Sequence, residues 1–450
     1  KIHPGLYTYA TPTEYETFFK ELLSGINRPL TQVEFYRRTL PLHNLIRNGH
    51  TLIIPPEKWS QAVEEELPHF PFDIYPDDGK LYVLRNLSEE KSIKAGAEIV
   101  SINGESGNVI FQELVDHWTK DGYNQTYPIK IVSQDFSEFY ANLLGTPKNF
   151  ELQIRENDKL KNLIINGLSI GQMRTYSQER YQHEKRPWYN DNTDQSYHFT
   201  IEGTTATLIL PTFAFSTLED YKIDYRKYFR EAFAKIKEQG VTDLIIDVRE
   251  NGGGMGDVAT ELFSYLHDEP FQLLEEVYSK TNKPPSKKFF SGSMFSLRLQ
   301  MLFALKKVAK DRYVPKPFAA KKNGLSLDLK QPADIHYEGR LYVLTSGWTF
   351  SASAMFTSLV KNYQRGIFIG EEAGGNPYVQ VGDFNQMLKL PTSGMRMSIP
   401  LFYEKMKVNY ENTGHGVMPD YPVRASIEDL LVGRDAVMEF VLDLIEKGRE

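Results

Sequence analysis

The order of hydrophobic and polar residues divides the chain into three regions with different patterns. In the first, "TPTEYETFFKELLSGI" and "TQVEFYRRTLPLHNLIRNG" place apolar residues at helical spacing, "HTLIIPP" predicts a short strand, and residues 56–67 predict another helix. His50 is therefore expected at a junction between a helix and a strand. Two pairs have the spacing of a capping box and mark the expected helix starts: Thr13 with Glu16, and Thr31 with Glu34.

From about residue 70 to 165 the pattern changes to short strands. "FPFDIY", "KLYVLRNL", "AEIVSING", "PIKIVSQ" and "FELQIREN" each predict one, and a helix is expected after the turn at Asn103–Gly104. This region is predicted to be a small α+β module. Residues 170–200 are polar and aromatic, which favours a linker or a long loop.

After residue 201 buried strands alternate with helices. "VTDLIIDVR" and "RLYVLTS" are nearly continuous apolar runs, and each is followed by a turn and a helix, so a mostly parallel sheet is expected. Residues 280–325 interrupt this pattern with 12 Lys/Arg and a single acid, Asp311, around the amphipathic run "MFSLRLQMLFALKKVAK". This segment predicts a solvated helical insertion, or else a surface for an anionic partner or a membrane.

Composition narrows the possible functions. With 450 residues, 41% hydrophobic and 25% charged, the chain has the make-up of an ordinary globular protein of two or three domains. The net charge of −7 argues against a general nucleic-acid binder, and no apolar run approaches the roughly 18–20 residues of a membrane span. The absence of cysteine removes disulfides, thiolate zinc sites and a cysteine nucleophile. No metal or other cofactor is expected, because neither an HExxH motif nor a spaced ligand cluster is present.

The first candidate for chemistry is Ser351 in "TSGWTFSASAMF". A hydroxyl between a buried strand and a helix N-terminus faces unpaired backbone amides, and the amide of Ala352 could point at a developing oxyanion. The small residues that follow would let a substrate backbone approach. Local sequence alone favours an ordinary helix N-cap, which stabilises a helix by about 1 kcal/mol.

The second candidate is the loop "DVRENGGGMG", in which Gly252–Gly254 follow a buried strand. Its amides could supply a second oxyanion donor or cradle a phosphate, and a plain tight turn is the other interpretation. It is not a P-loop, because the Gly-Lys-Ser/Thr ending is absent. A serine nucleophile needs a base; His50 is the candidate behind Gly49, with His43 and His415 as competitors.

Five motifs give the sequence a family resemblance. "RNGHT", "LIIDVRENGGG", "TFSAS", "IGEEAGG" and "GHGVMPD" resemble the motifs of the C-terminal processing (tail-specific) protease family, peptidase family S41, and "KSIKAGAEIVSING" is similar to its PDZ-like module. The processing proteases carry a catalytic lysine in a turn where this sequence has "GEEAGGNPY", and Asn376 falls near the place of that lysine. The sequence instead resembles the tricorn-core branch, which uses serine, histidine and glutamate.

The resemblance assigns roles to individual residues. It makes Ser351 the nucleophile, His50 the general base and then acid, and Glu411 the group that orients the imidazole. The oxyanion hole would be formed by the amides of Gly253 and Ala352, with Gly252 as the alternative to Gly253. Glu371 and Glu372 are expected to be structural.

The resemblance also implies an architecture: an α+β multidomain protein with a crotonase/ClpP-like α/β catalytic domain, a helical N-terminal segment and a PDZ-like module. The expected boundaries are 1–68 for the N-terminal segment with the base histidine, 69–168 for the PDZ-like module, 169–200 for the linker, and 201–450 for the catalytic domain with its basic insertion.

The function implied is a serine endopeptidase or carboxy-terminal processing peptidase acting on extended polypeptides. It would have no nucleic-acid partner and no integral membrane segment. Two alternatives remain open at this point: a catalytically silent protein that binds a peptide or an apolar ligand on the same fold, and a small-molecule esterase. The family's export and the first residue, Lys1, give the expectation of an exported protein, either periplasmic, at the cell surface or secreted.

Overall fold

The computed structural model describes residues 2–182, 195–283, 289, 299, 301–322 and 324–449. In this part of the chain, short helices alternate with four β-sheets. The α-helices lie at Pro12–Ser24, Gln32–Thr39, His43–Ile46, Glu57–Glu65, Gly107–His117, Thr126–Gln134, Phe136–Leu143, Ile170–Tyr181, Phe215–Asp220, Tyr225–Glu238, Gly256–Ser264, Pro317–Lys322, Ala352–Asn362, Ile427–Leu431 and Ala436–Lys447, with a 3-10 turn at Leu40–Leu42.

The N-terminal helices follow the predicted pattern but begin differently. The capping box of the first helix is formed by Thr11 and Glu14, so the predicted pair of Thr13 and Glu16 is wrong. Pro12 occupies the first helical position. Proline is common at this position because a backbone N–H there would have no partner within the helix, and proline has no N–H. The second helix begins at the predicted pair, Thr31 with Glu34.

Residues 70–166 form the predicted α+β module. Its sheet is antiparallel, with three helices packed over a core that contains the fully buried Phe70 and Phe150. The segment "PIKIVSQ" lies in the helix Thr126–Gln134, so its prediction as a strand is wrong. In spatial order the strands are Phe72–Asp77, Lys80–Asn86, Glu98–Ile102, Asn149–Glu156 and Lys159–Asn166, and Glu105–Ser106 also pairs with Glu98–Ile102.

The segment predicted as a linker is partly helical. Ile170–Tyr181 is a helix capped by Ser169, and residues 183–194 lie outside the described residues. The helix packs Met173 against Leu87 of the module, which explains why a polar stretch folds there.

The second half of the chain is built on a six-stranded sheet. Its four central strands are parallel, as the apolar runs predict, and strands alternate with helices along this part of the chain. Asp243–Asp247 is buried at every position because helices cover both faces. In spatial order the strands are Tyr421–Pro422, Ile367–Gly370, Arg340–Thr345, Asp243–Asp247, Thr205–Ile209 and His198–Glu202, the last being antiparallel to its neighbour.

Two antiparallel sheets complete the described structure. One holds Leu305–Ala309, Arg312–Pro315, Leu274–Ser279, Phe402–Met406 and Val379–Gly382 in that order, and the other holds Leu52–Ile54, Arg396–Ile399 and Gln386–Lys389. The three-stranded sheet joins the N-terminal segment to the second half of the chain through the register Ile53 to Met397.

The basic segment is predicted to be a helical insertion, and the structure describes it as partly helical and partly β-hairpin. Leu305–Ala309 and Arg312–Pro315 form a β-hairpin around the turn that contains Asp311, while residues 301–304 and Pro317–Lys322 are helical. Most of "MFSLRLQ" lies outside the described residues. Among the helices that are described, none has the length and apolar character needed to cross a membrane.

Candidate active site

Ser351 lies at the turn between the buried strand Arg340–Thr345 and the helix Ala352–Asn362. Its backbone has φ 53° and ψ −124°, a conformation that residues other than glycine rarely adopt. Gly253 makes this turn possible: a Cβ there would lie 2.6 Å from both Phe350 O and Ser351 Cβ, and the φ of Gly253 is +100°. The strained serine is thus held against the glycine-rich loop.

His50 reaches Ser351 from 301 residues away. The distance between His50 Nε2 and Ser351 Oγ is 3.1 Å, so the hydroxyl can donate to this nitrogen when the ring proton is on Nδ1. The preceding helix ends at Ile46 because Arg47 adopts a left-handed conformation, with φ 49°. Gly49 then lets Phe350 come close, because a Cβ at Gly49 would be 2.5 Å from the Phe350 ring. The rings of Phe350 and His50 pack with centroids 4.8 Å apart.

The strand Val379–Gly382 supports both members of this pair. Gln380 donates from Nε2 to the backbone oxygen of Ser351 over 2.9 Å, which fixes the start of the helix Ala352–Asn362. Gly382 borders the imidazole: a Cβ built there would lie at an ordinary contact distance, 3.5 Å, from His50 Nε2. Burial lowers the pKa of His50, so this histidine is a neutral base at pH 7.

The acid beside His50 is Asp121, which the sequence analysis missed. Its buried carboxylate accepts from the backbone amides of Gly49 (2.7 Å) and Asn376 (3.2 Å), and its charge raises the pKa of His50 against the effect of burial. Burial is also the largest influence on Asp121 itself and raises the pKa of its carboxyl group. No direct bond joins Asp121 to the imidazole, and His50 Nδ1 is enclosed without a hydrogen-bond partner among the described residues. The only sequence signal was a lone acid in "KDGYN", which does not indicate burial.

The structure does not bring Glu411 to His50. Glu411 is exposed, and within the described residues it has neither a hydrogen bond nor an ion pair. Its neighbour Asn412 points inward instead, where its Oδ1 lies 3.3 Å from Nδ2 of Asn376. The predicted orienting role of Glu411 is therefore corrected, because the acid whose charge acts on His50 is Asp121.

The predicted oxyanion donors are only partly available. The amide of Ala352 stands at the first position of its helix, where a backbone N–H has no partner within the helix. The amide of Gly253 already donates to Asn251 Oδ1 over 2.9 Å, which argues against its predicted role in this conformation. The amide of Gly252, the alternative, makes no hydrogen bond with any described residue.

The competing histidines have structural roles. His43 is completely buried; its Nδ1 donates to His117 O, and its Nε2 accepts from the amide of Ile53, both over 3.0 Å. His415 pairs with Glu372 over 3.1 Å. Glu372 and Glu371 both have structural partners, as predicted.

Those partners tie the segment around residue 415 to the six-stranded sheet of the second half of the chain, hereafter the main sheet. Glu372 also accepts from the amide of Gly416, and Glu371 forms an ion pair with Arg424. Asn376, near the expected place of a lysine, is buried, and its Nδ2 donates to the hydroxyl of Tyr9 over 3.1 Å. In the described part of the chain no three His, Asp or Glu side chains are grouped as metal ligands.

Comparison with known proteins identifies a similar family and similar folds. The model of the family described as "Peptidase family S41" matches residues 204–423. Over these residues the chain is similar to peptidase family S41. The matched S41 segment contains Ser351, the glycine loop and Ala352, whereas His50 and Asp121 lie outside it.

Individual relatives are more distant. A tail-specific protease of Haemophilus influenzae is 24% identical over 192 residues, which are 42% of this chain and 20% of the relative. The chain therefore spans about a fifth of that protein. Among solved structures, mature CPAF gives a TM-score of 0.63 at 13% identity, covering 98% of this chain and 92% of the other. Mature CPAF complexed with lactacystin gives 0.61 at 13% identity, with 98% and 94% covered. These two likenesses concern the fold.

Proposed function

We propose that this chain is a serine peptidase that cleaves extended polypeptides through an acyl-enzyme on Ser351. The observation that carries the proposal is the 3.1 Å contact between His50 Nε2 and Ser351 Oγ, at a strained turn beside a glycine-rich loop. A nucleophile and a base at hydrogen-bond distance are what acyl transfer requires. The match of residues 204–423 to the model of family S41 supports the same reaction.

In the proposed mechanism, His50 takes the hydroxyl proton while Ser351 Oγ attacks the peptide carbonyl. The bond from Oγ to the carbonyl carbon forms, and the oxyanion is stabilised by the amides of Ala352 and Gly252. His50 then gives its proton to the leaving amine. The same histidine next activates a water molecule as a general base, and this water hydrolyses the ester. The charge of Asp121 stabilises the imidazolium in both steps.

The amide of Gly253 joins the oxyanion hole if it exchanges its bond to Asn251 for one to the substrate. We include this exchange in the proposal because Gly253 borders both groups. A Cβ built on Gly253 would lie 2.6 Å from Ser351 Cβ and 2.8 Å from the amide nitrogen of Ala352. Substrate binding would then complete the site.

The domain arrangement belongs to the same proposal. We propose residues 1–68 as the segment that supplies the base, 69–168 as a PDZ-like module, 169–200 as the linker and 201–450 as a crotonase/ClpP-like catalytic domain. The antiparallel sheet of the module and the parallel central strands of the second half support this division. We propose a place in the tricorn-like branch because, among the described residues, a histidine and not a lysine contacts the Ser351 hydroxyl.

The substrate is proposed to be a polypeptide, cut internally or processed from its carboxyl end. Export is proposed on the family resemblance alone, and fractionation of the producing cell would test it. A protein without that export would be found with the cytosolic markers, and this result would contradict the localisation.

The deciding experiment is digestion of casein, analysed by mass spectrometry, with the wild type, Ser351→Ala and His50→Ala. Ser353→Ala is the matched control in the same motif, since the Ser353 hydroxyl is buried without a partner among the described residues. His415→Ala is the control for loss of a histidine. We expect the first two variants to lose at least about 10³-fold in kcat and both controls to keep the activity. Full cleavage by Ser351→Ala would refute the mechanism.

A further inference from the structure

A cavity of about 560 Å³ lies between the 70–166 module and the end of the main sheet. Its volume falls within the roughly 300–1,000 Å³ of typical ligand sites, which often occur between domains. Lys130 lines it from the module, and Arg249 and Glu250 line it from the main-sheet side. Ser351 and His50 are not among its lining residues, so the cavity is separate from the candidate active site.

The arginines in its wall are already paired. Arg249 binds Asp247 and Asp435, each over 2.7 Å, and its side chain is nearly enclosed by them. Arg424 forms an ion pair with Glu371 over 3.2 Å. A ligand carboxylate would have to compete with these internal acids, which disfavours an anionic guest.

Glu250 offers the opposite chemistry. Its Oε1 accepts from Lys130 Nζ over 2.7 Å, while its Oε2 is enclosed and has no hydrogen-bond partner among the described residues. Both Glu250 and its partner Lys130 line the cavity, so this carboxylate borders any guest. Burial raises the pKa of Glu250, so a cation placed beside it would be stabilised together with the ionised carboxylate. The wall therefore favours a guest that donates hydrogen bonds and carries positive charge.

The rest of the wall is apolar. Leu84 and Ile129 line the module side, and Ile209, Leu431 and Val432 line the side of the main sheet. The last three are exposed large hydrophobic residues, with Val432 77% exposed. Apolar side chains that remain exposed around a cavity favour an apolar chain as its occupant.

We propose that this cavity binds an apolar chain that carries a primary ammonium group, with the ammonium beside Glu250. The source of that group is either a polypeptide, through a lysine side chain or a free amino terminus flanked by apolar residues, or a small aliphatic amine. The proposal excludes a chain-terminal carboxylate as the preferred ligand. It concerns binding alone and does not depend on the peptidase reaction.

The test is isothermal titration of the full chain at pH 7 with three probes of equal length: heptylammonium, heptanoate and heptanol. We expect heptylammonium to bind at least tenfold more tightly than the other two. Glu250→Gln should weaken heptylammonium at least tenfold, whereas the matched change Glu65→Gln, on an exposed helical residue, should leave its affinity unchanged. Equal or tighter binding of heptanoate would overturn the proposal, as would the failure of all three probes to bind.

A second variant gives an effect of opposite sign. Lys130→Gln removes the internal partner of Glu250, so heptylammonium should bind more tightly than to the wild type. Weaker binding by a Lys130→Gln protein with a normal circular dichroism spectrum would contradict the assignment, and so would unchanged binding by a folded Glu250→Gln protein. Three leucine-rich peptide amides identify the source of the ammonium group: one with a free amino terminus, its acetylated form, and an acetylated form containing one lysine. If the free-amino-terminus peptide or the lysine peptide binds in a Glu250-dependent way, the source is a polypeptide. If only heptylammonium does so, the source is a small amine.

Discussion

Replacing Asp121 by Asn tests whether an acid that does not touch the imidazole still supports His50. The substitution keeps the side-chain shape and removes the charge. A carboxylate within about 4–6 Å of a histidine raises its pKa, and here it acts against burial. Without it the pKa of His50 should fall further, and the imidazolium formed during acyl transfer should be less stable.

The magnitude follows from Coulomb's law. For unit charges about 6 Å apart at an effective dielectric constant of about 20, the interaction is about 3 kcal/mol, or roughly a 100-fold change in rate. A triad acid that hydrogen-bonds its histidine directly contributes about 10⁴-fold, so the expected loss in kcat/KM is clearly smaller. The amide group introduced by Asp121→Asn would also turn an N–H toward Gly49 or Asn376, whose backbone amides now donate to the carboxylate.

The assay is the pH profile of kcat/KM on a fluorogenic peptide from the casein digest, together with NMR titration of His50. The neutral imidazole is the active form, so activity rises as pH rises through its pKa, and Asp121→Asn should move this rise to lower pH. Asp116→Asn, an exposed neighbour, is the control. Activity within threefold of the wild type and an unchanged His50 pKa would refute the role of Asp121.

Two further substitutions test the support of the site. Gly253→Ala places a methyl group against Ser351 at a positive φ, so we expect about 3 kcal/mol of destabilisation in urea and a 10²–10³-fold loss of kcat; wild-type values for both would contradict the close packing. His43→Gln disturbs the bond to Ile53 and should cost about 2 kcal/mol at pH 7. Burial lowers the pKa of His43 to about 4, so the unfolded chain takes up a proton first as pH falls below about 6.5, and the gap between wild type and variant should narrow towards pH 4; a constant gap would refute this.

The sequence predicted the parts of the site that depend on local pattern. A buried strand followed by small residues placed Ser351 at a helix start, and a helix stop followed by an apolar run placed His50 at a junction. The pairing of the two depends on contacts 301 residues apart, and only the family motifs indicated it. Asp121 could not be identified, because its role comes from burial between segments that are distant along the chain.

Local sequence patterns also did not decide three details of the structure. Thr11 and Thr13 each stand three residues before a glutamate, and Pro12 was the signal that decides between them. In "PIKIVSQ" the β-branched residues predicted a strand, but packing of Ile131 and Val132 into two cores makes the segment helical. The bond from Gly253 to Asn251 is likewise invisible in the sequence, since both residues fit any tight turn.

The backbone conformation of Ser351 has a consequence for the stability of the whole chain. A residue other than glycine at this φ and ψ costs on the order of 1–3 kcal/mol, so Ser351→Gly should raise the melting temperature, whereas Ser351→Ala, which keeps the strain, should not. The proposed nucleophile thus stands at a position where a single substitution would stabilise the fold. In this chain, thermal robustness and chemical reactivity are opposed at a single residue.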